Sequence, residues 1–390
     1  MAFRRRGRAA LAAGVLAVAV TAACSSEGPT AEPPGSLPPS SSGAGGSTTP
    51  TAPTADPTSP PSATPSPGPV TIAVAGDVHF EGALRERLDD PATALSPVTA
   101  ALAAADVAIV NLETSVGTGG RPDPGKRYTF QAPPTAFAAL AAAGIDAVTM
   151  ANNHALDFGR DPLPGLFDAI DAAAAADPPL AVVGIGADAA EAFRPARVEV
   201  DGTVVATIGA TVADADPTAD PTGQWAATAR AAGTADAMDP ARLLRTVEQA
   251  DRSADVVIAY LHWGVQGERC PSDLQRTLAA DVVEAGADIV VGSHAHRLQG
   301  DGRLGDGYVA YGLGNYAWYT QATEATSVTG VLTLTVRPGP SPAGRARVTD
   351  AVWEPARIGG DGLPRPMDRS AAAGFDTTRD ELRTCAGLAQ

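Results

Sequence analysis

The sequence predicts an α/β protein, a mixed sandwich of two sheets flanked by helices. From Val70 onward, short β-branched runs alternate with Ala/Leu-rich stretches of helical length. Several of these strands stand directly beside a helix, as α/β crossovers require. From Tyr308 to Trp353 the chain reads as strand after strand, which implies added antiparallel pairs. Strands are expected at Val70–Ala75, Val107–Asn111, Ala147–Met150, Leu180–Val183, Val198–Val200, Val204–Gly209, Val256–Leu261, Ile289–Val291, Tyr308–Gly312 and Val328–Val336. Asp201-Gly202 between two of them is a hairpin signal. Helices are expected at Pro134–Ala143, Leu163–Ala176, Pro240–Asp251 and Ser272–Ala285. Residues 211–239, rich in Pro, Asp and Ala, read as a long loop or insertion, with a lid as one role.

Composition supports a large core. The chain has 390 residues, 44% of them hydrophobic, which excludes full disorder and a minimal disulfide scaffold. The net charge of −16 repels nucleic-acid phosphates and anionic lipids. No nucleic acid is therefore expected as a partner. An anionic ligand would have to be held through bound cations.

The N-terminus reads as an export signal. Arg4, Arg5, Arg6 and Arg8 form a basic region, and Ala9 to Val20 form an apolar run too short to span a bilayer. Small residues Thr21-Ala22-Ala23 then precede Cys24, which resembles a bacterial lipobox with Thr21 in the place of the usual Leu. Residues 1–24 are expected to be a lipoprotein signal peptide and Cys24 the lipidation site. That places the protein on the extracytoplasmic face of the cell membrane, held by its lipid. The alternative is cleavage at the Ala-x-Ala-like site and release. Residues 25–69 are Pro/Ser/Thr-rich and are expected to be a disordered tether to a folded part spanning 70–390. In an exported protein Cys270 and Cys385 have one pairing open to them, a disulfide that ties the C-terminal tail back near Trp263. Two buried thiols are the alternative.

All five histidines fall in polar clusters that directly follow apolar strands. Gly76-Asp77-Val78-His79, Asn111-Leu112-Glu113, Asn152-Asn153-His154, His262-Trp263-Gly264 and Gly292-Ser293-His294-Ala295-His296 are these clusters. Catalytic groups of α/β folds gather at the carboxyl ends of strands, where loops converge on one rim. Imidazoles with carboxylate and amide oxygens, and no cysteine, form a donor set for one or two Mn, Fe or Zn ions. Glu113 is placed to bridge two such ions. Taken singly each residue has a plainer role: Asp77 an N-cap, Glu113 an ion pair, Asn153 a turn residue, His262 a core histidine.

Gly-Asp, Asn-Leu-Glu, Ala-Asn-Asn-His-x-x-Asp, His-Trp-Gly and Gly-Ser-His-x-His occur here in this order. With Tyr311-Gly312-Leu313-Gly314-Asn315-Tyr316 downstream, the set resembles the CapA (PgsA-like) poly-γ-glutamate capsule synthesis family over roughly residues 70–335. That family is similar to the calcineurin-like metallophosphoesterases. The resemblance implies a four-layer α/β/β/α sandwich of metallophosphoesterase type and a dinuclear centre. By position, Asp77, His79 and His296 would hold one metal, Asn153, His262 and His294 the second, with Glu113 between them. His154, assisted by Asp157, would act as the catalytic acid. Asn111, Asn152, Trp263 and Asn315 would contact substrate. Two departures stand out: Glu113 replaces a bridging Asp, and Ala155 stands where an acidic residue follows the catalytic His.

The resemblance implies a lipoprotein acting in capsule or surface-polymer synthesis or export, with an anionic polymer or phosphoester substrate and a capsule-synthesis membrane complex as partners. Whether it is a metal-dependent hydrolase is open. Two alternatives accompany it, a phosphoesterase acting on cell-envelope phosphoesters and a non-catalytic polymer-binding export factor. A 5′-nucleotidase-like scavenger is a third, for which no additional substrate domain of adequate size is present.

Overall fold

Along each central strand, odd and even residues belong to different hydrophobic layers. In β1 (Val70–Val78), Val70, Ile72 and Val74 join one core cluster while Ala73 and Ala75 join another. Further along the chain, Val256, Ile258 and Tyr260 separate in the same way from Val257, Ala259 and Leu261. A strand alternates its side chains between its two faces, so both sheets are covered on both sides. The shared cluster of Ile72, Val74, Ile109, Ile258 and Ile289 therefore lies between two sheets. The other two clusters lie between each sheet and its helices, which gives four layers in the order α/β/β/α.

The computed structural model describes residues 2–5, 68–217, 225–319, 323–339 and 344–390, which belong to one unit. The first sheet contains β1, β2 (Val107–Leu112), β3 (Ala147–Thr149) and β4 (Ala181–Val183), all parallel to their neighbours. The second contains β5 (Ala196–Val200), β6 (Thr203–Thr211), β7 (Val256–Trp263), β8 (Ile289–His294), β9 (Asp301–Leu304) and β10 (Gly307–Ala310), in the order 5-6-7-8-10-9. β11 (Asn315–Ala317) returns to pair with β1. The long antiparallel strands β12 (Val328–Arg337) and β13 (Arg347–Ile358), with β14 (Pro364–Pro366), extend the first sheet beyond β1. Helices α1 (Ala100–Ala104), α2 (Thr135–Ala142) and α3 (Leu163–Ala175) accompany the first sheet. Helices α4 (Ala241–Asp251) and α5 (Asp273–Glu284) accompany the second, and the chain ends in α6 (Arg369–Ala386).

The ten expected strands and four expected helices are all present, with shifted ends. β1, β7 and β8 each run two or three residues further than expected and carry the ladder through Asp77, His262 and His294. Asp201 and Gly202 turn the β5–β6 hairpin with φ of 47° and 85°. α6 was not among the expected helices, although Asp368 caps its first turn through Ser370 and Ala371 and Gly387 closes it at φ 70°. Its many polar residues, with Gly374 inside, hide the apolar stripe of Phe375, Leu382 and Ala386.

One device recurs at the amino ends of the strands. Asp106, Asp146, Asp255 and Asp288 each stand one residue before a parallel strand. Their carboxylates accept the backbone N–H of Thr71 (2.8 Å), Ala108 (2.9 Å), Val204 (2.8 Å) and Val257 (2.9 Å) on the adjacent strand. The Ala2–Arg5 segment lies parallel to β5 at the edge of the second sheet. Cys24, most of the expected signal peptide and tether, and residues 218–224 of the long loop lie outside the described residues.

Candidate metal centre

The carboxyl ends of β1, β2, β3, β7 and β8 converge on one buried polar cluster. The backbone N–H of Asp77 donates to the carbonyl of Gly314 at 2.9 Å, pinning β1 against the turn before β11. Gly76 makes this approach possible, because a Cβ there would lie 1.8 Å from the Gly314 oxygen. Asp77 and Asn111 are in register across β1 and β2, and Asn111 Nδ2 donates to Asp77 Oδ1 at 2.8 Å. Gly292 similarly leaves room for Trp263, whose Nε1 would sit 2.0 Å from an added Cβ. His294 and His296 hold φ of 96° and 52°, a backbone region that costs a non-glycine residue about 1–3 kcal/mol.

Two groups of donor atoms emerge, and Glu113 belongs to both. Glu113, His262 and His294 form one, and Asp77, Glu113 and His296 the other, with ligand atoms within 4.8 Å of one another in each. Asn153 Oδ1 joins the first, 2.7 Å from His262 Nε2, which also lies 3.1 Å from His294 Nδ1 and 3.5 Å from Glu113 Oε1. The outer ring nitrogens are held elsewhere. His262 Nδ1 meets Ser293 Oγ at 3.1 Å, His294 Nε2 meets Asp216 at 3.1 Å and His296 Nδ1 meets Asn315 Oδ1 at 2.8 Å. Such outer partners fix the rotation of imidazole ligands and aim the inner nitrogen.

Glu113 provides the test of fit. Both of its oxygens are fully buried and have no hydrogen-bond partner among the described residues. A buried carboxylate without a partner is costly, and the nitrogens nearest to it belong to His262 (3.5 Å), His154 (3.8 Å) and His296 (4.0 Å). Burial and the nearby Asp77 carboxylate push Glu113 well above the usual carboxylate range. For Asp77 burial acts upward, but His296, Ser293 and Asn111 outweigh it and leave its carboxyl lowered. Burial drives His262 well below its ordinary value and also lowers His294, which keeps both rings neutral as ligands must be. Divalent cations between these atoms would satisfy Glu113, so the donor set fits one or two of them.

His154 stands beside this cluster. Its Nδ1 is 2.6 Å from Asp157 Oδ2, its ring stacks on Phe130 at 4.3 Å, and its Nε2 faces Glu113. Asp157 also accepts from Phe130 N at 2.6 Å and from Lys126 Nζ at 2.6 Å. Burial raises Asp157 to about 7 against the opposing pull of Lys126. Burial, followed by Lys126 and the other histidines, takes His154 well below its ordinary value. With Asp157 at Nδ1, the ring turns Nε2 towards Glu113.

Five of the expected site residues make their contacts inside the protein. His79 is not a member of either donor group: its Nε2 accepts from the Tyr319 amide at 3.1 Å and its ring packs among Phe130, Trp318 and Tyr319, while its Nδ1 is buried with no hydrogen-bond partner among the described residues and is free to face a cation. Trp263 is not at a substrate surface, since it is fully buried, stacked on Tyr311, and donates Nε1 to the Tyr311 carbonyl at 2.8 Å. Asn111 and Asn152 spend their amides inside the protein. Asn152 Nδ2 donates to Asn111 Oδ1 at 3.0 Å, and Asn152 Oδ1 accepts from the His154 amide at 3.0 Å. Asn315 is engaged by His296 and by the Thr326 carbonyl. These asparagines position the donor groups.

Three residues of the cluster escaped sequence reasoning. Lys126 is the single lysine of the chain, it is buried, and its ammonium lies 4.7 Å from the Trp225 ring centroid. That solitude among 28 basic residues is a signal that could have found it. Ser293 lies within a recognised motif. Asp216 comes from the 211–239 segment, and nothing local in the sequence distinguishes it. Cys270 and Cys385 are bonded, with Cα atoms 5.7 Å apart.

A family model described as bacterial capsule synthesis protein PGA_cap matches residues 71–319. The capsule biosynthesis protein CapA of Bacillus anthracis is 34% identical over 187 residues, 46% of this chain and 42% of that protein. The PGA biosynthesis protein CapA of Bacillus subtilis (strain 168) is 33% identical over 170 residues, 43% of this chain and 41% of that one. A probable polyglutamine synthesis accessory protein of Mycobacterium tuberculosis is 30% identical over 199 residues, half of each chain. The chain thus spans half or less of the length of these curated relatives. Among solved structures, a phosphatase from Mycoplasma pneumoniae aligns with 80% of this chain and 99% of its own, at 12% identity and a TM-score of 0.43. The 5′-nucleotidase of Candida albicans aligns with 80% of this chain and 58% of its own, at 10% identity and a TM-score of 0.38. Likeness at this level carries no functional argument.

Proposed function

Because the chain belongs to the PGA_cap family of bacterial capsule synthesis proteins, we propose that it is an extracytoplasmic accessory protein of surface-polymer synthesis. In this reading it is lipid-anchored at Cys24 and acts on an anionic, poly-γ-glutamate-like chain through a dinuclear divalent-metal centre. Glu113 carries the reading: a fully buried carboxylate with no hydrogen-bond partner among the described residues, set among three imidazoles. Asp77, Glu113 and His296 would hold one ion, and Asn153, His262, His294 and Glu113 the other. The ions would supply Lewis-acid activation of water and of a substrate oxygen.

The chain's own groups then do three things. Asp157 holds the proton of His154 on Nδ1, which leaves Nε2 to accept a proton from water beside Glu113. Lys126 braces Asp157 and the Asn153 carbonyl together, coupling this base to a metal-facing amide. Asn111 and Asn152 link Asp77 to the His154 backbone, so the two halves of the site are positioned as one network.

Elemental analysis of the purified protein tests this. Wild type is expected to carry two transition-metal equivalents, with Glu113→Gln, Asp77→Ala and His294→Ala depleted. Absence of metal from every sample would end the proposal. A second reading, a metal-braced but non-catalytic polymer-binding export factor, is favoured by the near-complete burial of the donor groups. It predicts that His154→Ala leaves polymer export intact, whereas a hydrolase acting on γ-glutamyl or envelope phosphoester bonds loses turnover by about 10²–10⁴-fold.

A further inference from the structure

Away from the metal centre, α6 closes a cavity of about 290 Å³ against β13 and against the segment that follows His296. Its walls combine apolar surface from Leu298, Trp353 and Phe375 with four arginines, Arg269, Arg297, Arg357 and Arg379. In a chain with a net charge of −16 this concentration of cations stands out. The single acid of the lining, Asp301, is already taken by Arg379, which donates to both of its oxygens.

The other three guanidinium groups are lightly held. Arg269 meets Glu381 at 3.4 Å, with both side chains well exposed. Arg357 donates through Nη1 to the Glu324 carbonyl and to Ser327 Oγ, both at a long 3.3 Å, and its nearest carboxylate, that of Glu324 at 3.6 Å, is 87% exposed. Arg297 donates to the Gly267 carbonyl at 3.2 Å and has no carboxylate partner among the described residues. Exposed pairs of this kind contribute little and exchange readily for a better anion. Trp353, which lines the cavity, also carries a buried Nε1 that makes no hydrogen bond among the described residues.

Resting on the polymer reading above, we propose that this cavity is a second subsite, which binds a carboxylate-bearing segment of the anionic chain. Planar guanidinium groups pair with carboxylates two bonds at a time, and the Trp353 and Phe375 rings, 5.5 Å apart, cover the methylenes between them. The volume lies at the low end of the roughly 300–1,000 Å³ range of ligand pockets, which fits one or two units of such a chain. Arg269, Arg297 and Asp301 lie within the residues that match the family model, whereas Trp353, Arg357 and α6 lie beyond them.

Calorimetric titration of the full chain in chelator with a γ-linked glutamate pentamer tests the subsite without involving the metals. Wild type is expected to bind. Arg297→Gln and Arg357→Gln should each weaken binding about tenfold, the loss of a charge-assisted hydrogen bond, and Trp353→Phe, which keeps the ring and loses the N–H, about threefold to fivefold. Unchanged circular dichroism and melting temperature show that the variants are folded. Equal binding by wild type and all three variants would overturn the subsite and leave the polymer reading standing. No binding by wild type in chelator would likewise overturn the subsite, while the polymer reading stands or falls on the metal content and turnover of the loaded protein. Equally tight binding of decanoate would assign the cavity to an acyl chain, and the proposal would fail.

Discussion

The two rims of this sandwich use the same chemical group in opposite ways. At the amino rim, Asp106, Asp146, Asp255 and Asp288 each find a backbone N–H within 2.9 Å on the neighbouring strand. At the carboxyl rim, Glu113 is buried at least as deeply as Asp146 and Asp288, and more deeply than Asp106 and Asp255, yet neither of its oxygens has a hydrogen-bond partner among the described residues. Matched carboxylates lock strand ends and give the sheets their register. An unmatched one raises the energy of the free protein and leaves it ready for a cation. The difference teaches that burial of an acid alone does not mark a functional site. Its partners decide.

The sharpest test of that contrast is a pair of variants. Glu113→Gln should abolish binding of both metals, read as loss of metal in elemental analysis, while the chelated protein melts no lower than chelated wild type. Asp288→Ala should do the reverse. It strands the Val257 and Ala346 amides, at about 1–3 kcal/mol each, in urea unfolding, and leaves the metal content unchanged. Equal stability losses in the two variants would break the comparison.

Smaller effects follow along the same line. Asp216→Asn disturbs the partner of His294 Nε2 and should weaken metal binding about 10–100-fold, measured by competition with a chelator. Lys126→Met removes the brace on Asp157, and any hydrolytic turnover should fall with its pH profile displaced, because the proton between His154 and Asp157 is no longer fixed by a neighbouring cation.

Two pH dependences should also differ in sign. Glu113 is raised in the free protein and must lose its proton to coordinate, so metal binding releases a proton and strengthens as pH rises. Calorimetry of metal binding to wild type in buffers of different ionisation heat reads that proton. Asp288 is raised from 3.8 to about 7 in the folded state, so its titration adds stability at low pH that is lost as pH rises through about 7. The penalty of Asp288→Ala should therefore shrink over that interval.

Much of this was legible in the chain. Alternating β-branched runs located all the major strands of the parallel cores, because burial of both strand faces leaves a local pattern. Polar clusters after those runs located Asp77, Glu113, Asn153, His262, His294 and His296. The surroundings of His79 were not legible: its ring is packed by Phe130, Trp318 and Tyr319 from distant segments. Nor were the internal partners of Trp263 and Asn152. Adjacency to a ligand in sequence says nothing of which way the side chain turns.

What the sequence determined by itself was the layered α/β plan and the kinds of donor atom available. Period and composition are properties of neighbouring residues, and they survive without a fold. Only the tertiary structure decided which donors meet, that Asp157 and Lys126 serve His154, that Asp216 reaches His294, and that Glu113 is left alone. Each of those contacts joins residues brought together by packing from separate elements, and a pairing of that kind leaves no mark on the chain between them.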